Sequence, residues 1–323
     1  MVINSIPFLI EVVAETHLPT IAHHYDFYWE RIRFSINAVS DYLSMAFPPN
    51  LSNIEHVVIN SAAREKLAHR RGISSINVPN VLDFHNPPAV NDQRAQAFKR
   101  SIDLDPDDRI ILRPTRIFKR KGIEYAIDPV RELRPLPCKL VIPHEAGGEG
   151  FDYPDWVQEY ALDRQVDSRI VQARIADPWA GRRNAEEEYT LWDIYPFADF
   201  SSYPSRVEGF GNAFLEAVYF KKPILINRYA TFVRDIEPQA FDLVVMDGFL
   251  NKKTIAKMRQ ILESVTHCGK RVNANYEIAM RHYSYAVLQK QLNSMMINIL
   301  GTQVPQHLKR VVRYLTQRIR GDT

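Results

Sequence analysis

The feature that most constrains this chain is an alternation. Short apolar runs are followed, again and again, by longer segments with helical spacing. Residues 109–114, 139–143 and 223–227 each hold three successive apolar side chains, and 199–203 is a further short strand, so both faces of the strands must be covered. Parallel sheets flanked by helices on both sides cover them, because each parallel connection needs a crossover that a helix supplies. The expected class is α/β.

The pattern predicts helices over 122–133, 155–163 and 211–220, further strands over 169–172 and 242–246, and a helical or loop segment over 191–198. Earlier, it predicts a helix over 6–16, a strand over 19–23, mixed helical spacing over 27–45 and a strand over 56–60. Ser61 is the expected N-cap of a helix over 62–70, and residues 76–79 form another strand. Asp83, Asn86, Pro87 and Pro88 are turn and linker chemistry. They set the expected division: a first domain over 1–84, a second over 85–285, and closing helices over 286–323.

Bulk properties exclude several classes. Of the 323 residues, 46% are hydrophobic and 24% charged, which suits a folded chain of two domains. A net charge of +3, from 41 basic and 38 acidic side chains, is too balanced to imply a nucleic-acid partner. Cys138 and Cys268 are far apart and give neither a disulfide framework nor metal-ligand spacing. With no span-length apolar run and no basic leader before the first apolar stretch, the expectation is a cytoplasmic protein.

In open parallel sheets, ligands bind beyond the carboxyl ends of the strands. Two such loops carry chemistry. After 109–114 come Arg116, Lys119, Arg120, Lys121 and Gly122. A basic strand-to-helix turn with free backbone N–H groups suits phosphate, and equally describes a solvated surface turn. After 199–203 comes Glu208-Gly209-Phe210-Gly211-Asn212-Ala213-Phe214-Leu215-Glu216. Its two glycines permit positive φ angles and close approach of backbone to a ligand, and the helix start behind them faces anions. Carboxylates repel phosphate, so Glu208 and Glu216 suit hydroxyls, as on the ribose and hexose of a sugar nucleotide. As spacing without context, two glutamates eight residues apart also occur by chance.

In context, Ser205-x-x-Glu208-Gly209-Phe210-Gly211-Asn212-x-x-Leu215-Glu216-Ala217, followed by Lys222-Pro223-Ile224, closely resembles the signature of glycosyltransferase family 4. These are retaining enzymes of the two-Rossmann-domain GT-B architecture. Arg116-x-x-x-x-Lys121-Gly122 resembles the family's diphosphate-binding cations. Val78-Pro79-Asn80-Val81-x-Asp83-Phe84 is similar to its interdomain linker, with Val81 where glycine is common. Asn60-Ser61 through Leu67 resembles the strand and helix before that linker. The likeness covers roughly residues 17–290. It implies a GT-B-like fold: a Rossmann-type parallel sheet donor domain plus a first Rossmann-like domain. It also implies transfer of a hexose from a nucleotide-diphosphate sugar to an acceptor hydroxyl with retention, and without a cofactor or divalent metal. Arg116 and Lys121 would neutralise the departing diphosphate. Glu208 would contact the donor sugar and Glu216 the ribose, with Gly209, Phe210, Gly211, Asn212 and Ala213 around sugar and phosphate.

In the first domain, His23, His24 and Asp26 follow the strand over 19–23. Adjacent histidines on a strand point to opposite faces, a poor metal pair. One core and one surface histidine is the bland expectation. By the resemblance, a histidine of this domain faces the donor sugar, and His24-x-Asp26 is the preferred match, with His23 second. Trp29, Glu30 and Arg31 either line an acceptor site or cap a helix. His144 and Glu145 occupy another sheet-end loop, where Glu145 is a donor-site candidate. Arg182, Arg183 and Glu186 to Glu188 read as a solvated loop. Leu308, Val311, Val312, Leu315 and Ile319 share one helical face beside Lys309, Arg310 and Arg313. That face suits peripheral membrane contact, or packing as a closing helix.

The chain departs from the family in its first domain, which is short and lacks an early glycine-rich loop, Gly72 being the first glycine. The expectation is an incomplete first Rossmann-like domain, open to completion by a partner chain. The alternative to a complete enzyme is therefore a non-catalytic or partner-dependent nucleotide-sugar-binding subunit. A dinucleotide-dependent oxidoreductase would need a Gly-x-Gly-x-x-Gly turn after its first strand, which the sequence lacks.

Overall fold

A computed structural model describes residues 2–3, 10–30, 37–87, 89, 92–143, 152–171 and 189–300. The chain forms two compact units, one of Met1–Asp83 with Arg281–Thr323, the other of Phe84–Met280.

The first unit holds a parallel sheet in the order β1–β2–β3–β4, from β1 (Val2–Ile3), β2 (Thr20–His24), β3 (Ile54–Val58) and β4 (Ile76–Asn77). Helices α1 (Ile10–Thr16), α2 (Asn37–Met45) and α3 (Ser61–Arg71) connect them. Alternate residues of β2 serve opposite faces: Ala22 packs with Val13 of α1 and Ile54, while Ile21 packs with Val57, Val78 and Met295. Met295 comes from the last described helix, α11 (Tyr285–Leu300), so this unit's core is built from both ends of the chain. Within the stretch 27–45 of mixed helical spacing, the described residues form a short 3-10 turn at Tyr28–Glu30 and α2. The N-cap of α3 is Asn60 rather than Ser61, with Asn60 Oδ1 accepting from Ala63 N at 2.7 Å. Both residues are good caps; the strand ends two residues earlier than the sequence pattern implied, which brings Asn60 into the capping position.

The second unit is a six-stranded parallel sheet in the order β10–β9–β8–β5–β6–β7. Its strands are β5 (Arg109–Leu112), β6 (Cys138–Ile142), β7 (Ser168–Ile170), β8 (Phe200–Tyr203), β9 (Ile224–Asn227) and β10 (Val244–Met246). Helix α4 (Asp92–Ser101), unforeseen in the linker region, precedes β5; α5 (Glu124–Glu132) and α6 (Asp152–Asp163) follow β5 and β6. Then come α7 (Leu191–Ile194), α8 (Asn212–Tyr219), α9 (Lys252–Glu263) and α10 (Val265–Tyr283). The order runs outward both ways from the β5–β8 pair, which is the doubly wound arrangement. Ile110, Ile111, Leu112, Leu140, Val141, Ile142, Leu225 and Ile226 are fully buried. Each contributes about 1.5–3 kcal/mol by leaving water, and the unbroken apolar runs thereby become central strands covered on both faces. The topological switch lies between β5 and β8, so the loops after these two strands leave the sheet side by side.

Candidate functional site

Those two loops are the ones the sequence singled out. After β5 the chain runs through Pro114, Thr115 and Arg116 into a 3-10 turn at Lys119–Lys121, closed by Gly122 at φ +60°. A Cβ on Gly122 would stand 2.9 Å from the Tyr125 ring and 3.2 Å from Pro204 O, so glycine lets this turn lie against the β8 loop. After β8 the chain runs through Ser205 to Gly211, where α8 begins. Gly211 has φ +117°, and a Cβ there would come within 2.5 Å of Tyr229 Oη.

The loops are pinned to one another. Arg206 N donates to Arg120 O at 3.2 Å. Lys121 Nζ and Glu208 Oε1 form an ion pair at 2.5 Å, although 87 residues separate them in sequence. Both side chains are largely shielded, at 13% and 9% exposure, so the pair is held away from bulk water. Burial pulls the Lys121 ammonium below the usual lysine range, and the adjacent Glu208 carboxylate opposes that. The Arg116 side chain is exposed and meets no described partner. Phe210 is buried, with its carbonyl accepting from Tyr229 Oη at 2.8 Å, and Glu208 O accepts from Thr231 Oγ1 at 3.1 Å. Gly209 and Asn212 are exposed, and Ala213 is buried in the first turn of α8.

Glu216 lies one turn into α8, half-buried. Tyr195 Oη sits 3.1 Å from its Oε2 and 3.2 Å from Ala213 O. Burial pushes the Glu216 carboxyl up to about 7, with the Tyr195 hydrogen bond opposing the shift. The two glutamates therefore differ: one is a cation-paired carboxylate, the other a carboxyl poised between its two protonation states near neutral pH.

Several supporting groups carried no signal in the sequence. Arg113, read as the end of an apolar strand, is fully buried just past β5. Tyr195, Tyr203 and Tyr229 are buried around the glycine loop, and burial raises the phenols of Tyr195 and Tyr203 well above their usual value. Asn227 donates to Ser205 O at 3.2 Å and accepts from Gly248 N at 2.9 Å, joining the ends of β8, β9 and β10.

In the first unit, His24 is 1% exposed, stacked on Phe47 with ring centroids 4.9 Å apart. Its Nε2 lies 3.1 Å from His56 Nδ1, and His56 Nε2 lies 3.1 Å from Pro49 O. Pro49 O accepts, so His56 carries its proton on Nε2 and accepts from His24 at Nδ1. Burial, with His56 and His23 adding to it, lowers the His24 pKa to about 3. These are the contacts of a neutral core histidine, which corrects the preference for His24 as the outward-facing one. A strand sends neighbouring side chains to opposite faces, and here the inward one is His24. His23 is half-buried with its ring tilted against the exposed Tyr25, and Asp26 is exposed. Trp29 lies on Phe27 and under the Arg70 guanidinium, and Glu30 pairs with Lys66. His144, Glu145, Arg31, residues 182–188 and residues 301–323 lie outside the described residues.

Among the described residues, no group of His, Cys, Asp or Glu could hold a metal ion, and no helix is long and apolar enough to cross a membrane. Asp103, Asp105 and Asp107 have Asp-x-Asp spacing, but precede β5 at the sheet's opposite end. A cleft of about 830 Å³ is lined by residues of α5 and α9, including Tyr125, Asp128, Ile255 and Arg259; Lys121, Glu208 and Glu216 are not in its wall.

A doubly wound donor-type sheet with a basic turn and a glycine loop at its switch point, accompanied by a second parallel α/β unit, defines the GT-B-like class of glycosyltransferase folds. Residues 95–277 match the family model for glycosyl transferases group 1, and the chain belongs to that family. It is 38% identical over 248 residues to the mannosylglucosylglycerate synthase of Petrotoga mobilis, covering 69% of this chain and 56% of that relative. It is 30% identical over 303 residues to the enzyme of the same name from Thermotoga maritima, covering 84% and 69%. The chain thus spans little more than half of the Petrotoga relative. In structure it is similar to a glycosyltransferase from Rickettsia africae, with a TM-score of 0.67 at 14% identity over 92% of this chain and 80% of that one. Anabaena HepE in complex with UDP gives 0.67 at 13% identity, over 91% and 77%.

Proposed function

We propose that this chain carries the donor site of a retaining hexosyltransferase of glycosyltransferase family 4, moving a sugar from a nucleotide diphosphate to an acceptor hydroxyl without a divalent metal. The observation that carries the reading is the Lys121–Glu208 pair: a cation for diphosphate and a carboxylate for sugar hydroxyls, meeting where the β5 and β8 loops leave the switch point. In this reading Arg116 and Lys121 take up the charge that develops on the departing diphosphate, the dominant catalytic contribution. Lys121 trades Glu208 for phosphate oxygens, which frees Glu208 for the hexose. Glu216 accepts from the ribose hydroxyls. The acceptor hydroxyl adds to the anomeric carbon on the face the leaving group vacates, and its proton passes to the leaving phosphate. The names of the two relatives make a mannosyl donor and a glucosylglycerate acceptor the first pair to test.

The test is thermal. GDP-mannose, UDP-glucose and ADP-glucose are each added to the full chain, and the one bound raises Tm. Lys121→Ala abolishes the rise, and EDTA leaves transfer unchanged. Absence of a shift with every nucleotide sugar sinks the reading. Binding with neither transfer nor donor hydrolysis favours instead a partner-dependent binding subunit.

A further inference from the structure

Arg113 is the largest fully buried side chain of the described residues, and its charge is unusual in kind. Burying a guanidinium is costly unless it is paired or fully hydrogen-bonded. No described carboxylate pairs with it. Its partners are neutral: Nη1 donates to Ser202 O at 3.2 Å, and Nη2 donates to Ser205 Oγ at 3.2 Å and to Lys121 O. The Tyr203 ring lies 5.7 Å from its guanidinium carbon. An apolar side chain would fill a strand end at less cost, so the choice of arginine calls for a reason beyond packing.

The partners supply it. Lys121 O belongs to the basic turn and Ser205 Oγ to the glycine loop. One planar fork therefore fixes the two backbones whose side chains meet as Lys121 Nζ and Glu208 Oε1. The charge matters as well as the fork. With Glu208 already paired to Lys121, the Arg113 charge is left without a carboxylate of its own in a dry site, where fields are weakly screened.

We propose that Arg113 is a positioning residue of the donor site, which holds the Lys121 and Glu208 loops in register and adds a buried positive charge that favours a diphosphate. This rests on the donor-site reading above. Arg113 acts through Lys121 and Glu208; burial is the main cause that lowers the Lys121 ammonium, and the Arg120 and Arg113 charges add to it.

The experiment uses the full chain carrying Arg113→Gln, Arg113→Lys and Ser205→Ala, each also combined with Lys121→Ala. The first readout needs no ligand: the titration of the Lys121 ammonium followed by NMR, assigned with Lys121→Arg. Arg113→Gln moves it upward and Arg113→Lys leaves it in place, whereas loss of a mere brace would not distinguish the two. The second is the donor kcat and KM. Arg113→Gln lowers kcat about 100-fold, the scale of a 1 Å misplacement, with KM changed less than about fivefold. Arg113→Gln with Lys121→Ala is no slower than Lys121→Ala, because the two act as one unit. An unmoved Lys121 titration, or penalties that multiply, overturns the proposal. If Arg113→Gln does not fold, Arg113→Lys and Ser205→Ala decide: each lowers kcat about tenfold with the Lys121 titration in place, and wild-type turnover in both overturns the proposal. If the wild type neither binds nor transfers a nucleotide sugar, the donor reading fails, while the Lys121 titration still judges the link between Arg113 and Lys121.

Discussion

The ends of β2 and β8 occupy equivalent places, each at the carboxyl end of a parallel strand, yet their polar side chains do opposite things. At β2, His24 turns into the core, where its Nε2 bonds to His56 Nδ1 and His56 Nε2 bonds to Pro49 O. The linked nitrogens have neutral partners, His24 Nδ1 has none among the described residues, and burial keeps the pair uncharged. At β8, the buried polar groups belong to the frame, in Tyr203, Ser205, Arg113 and Asn227, and they hold a loop that presents charged groups. Position at a sheet end is therefore not enough to make a site. What matters is whether the inward-facing polar groups close on themselves or brace something that faces out.

The sharpest way to break this contrast is at Lys121. Lys121→Ala is expected to lower donor turnover about 100- to 1,000-fold, the cost of removing one preorganised donor to a developing anion, with little change in Tm. Turnover within about threefold of wild type would remove the β5 loop from the chemistry.

Gly211→Ala comes next. The new Cβ must displace Tyr229 Oη at φ +117°, breaking the bond to Phe210 O. The expected cost is about 1–3 kcal/mol of stability, together with loss of the nucleotide-sugar shift in Tm. Chemical denaturation measures the first, and an unchanged midpoint would mean that the loop backbone relaxes freely.

Glu216 sharpens the contrast by pH. Its carboxyl sits at about 7 in the free protein. Ribose hydroxyls donate to the charged form, so binding lowers that pKa. Affinity for the nucleotide sugar then falls as pH drops below about 7, by up to tenfold per unit, and is flat above it. Glu216→Gln removes the slope. Calorimetric titrations at pH 6 and pH 8 that gave equal affinity in the wild type would contradict the ribose contact.

The histidine pair tests the other side of the contrast, through stability rather than binding. The His24 pKa is depressed from 6.5 to about 3, so the unfolded chain takes up a proton that the folded one refuses. Stability is full above about pH 6.5 and declines as pH falls toward 3, by up to about 1.4 kcal/mol per pH unit for this group. Urea denaturation at pH 7.5 and pH 5 measures the decline, and His24→Leu/His56→Leu flattens it. An equal decline in the double variant would show that other groups titrate there instead.

What could be read from the sequence follows a physical divide. The six-stranded sheet was legible because burial on both faces demands unbroken apolar runs, as at 109–114 and 139–143. The β5 and β8 loops were legible because positive φ and anion affinity demand particular residue types, Gly122 and Gly211 among them. Helix α4 was missed because its sequence is mostly polar and follows closely on the linker residues. The Asn60 cap was missed because adjacent Asn60 and Ser61 both qualify, and where the strand ends decides between them.

The sequence by itself determined the alternation, the two glycine turns and the acidic and basic residues that stand at them. Only the tertiary structure decided which of these meet. Lys121 and Glu208 are brought together by sheet order, which sets β5 beside β8 and thus joins positions 87 residues apart. Whether a polar residue serves core or site was decided in the same way. His24 and Arg113 are both buried, and their partners, His56 for one and Lys121 with Ser205 for the other, come from strands and loops that local sequence does not specify. Periodicity reports what a residue's own backbone demands, while an ion pair or a buried fork depends on which distant backbone lies within about 3 Å.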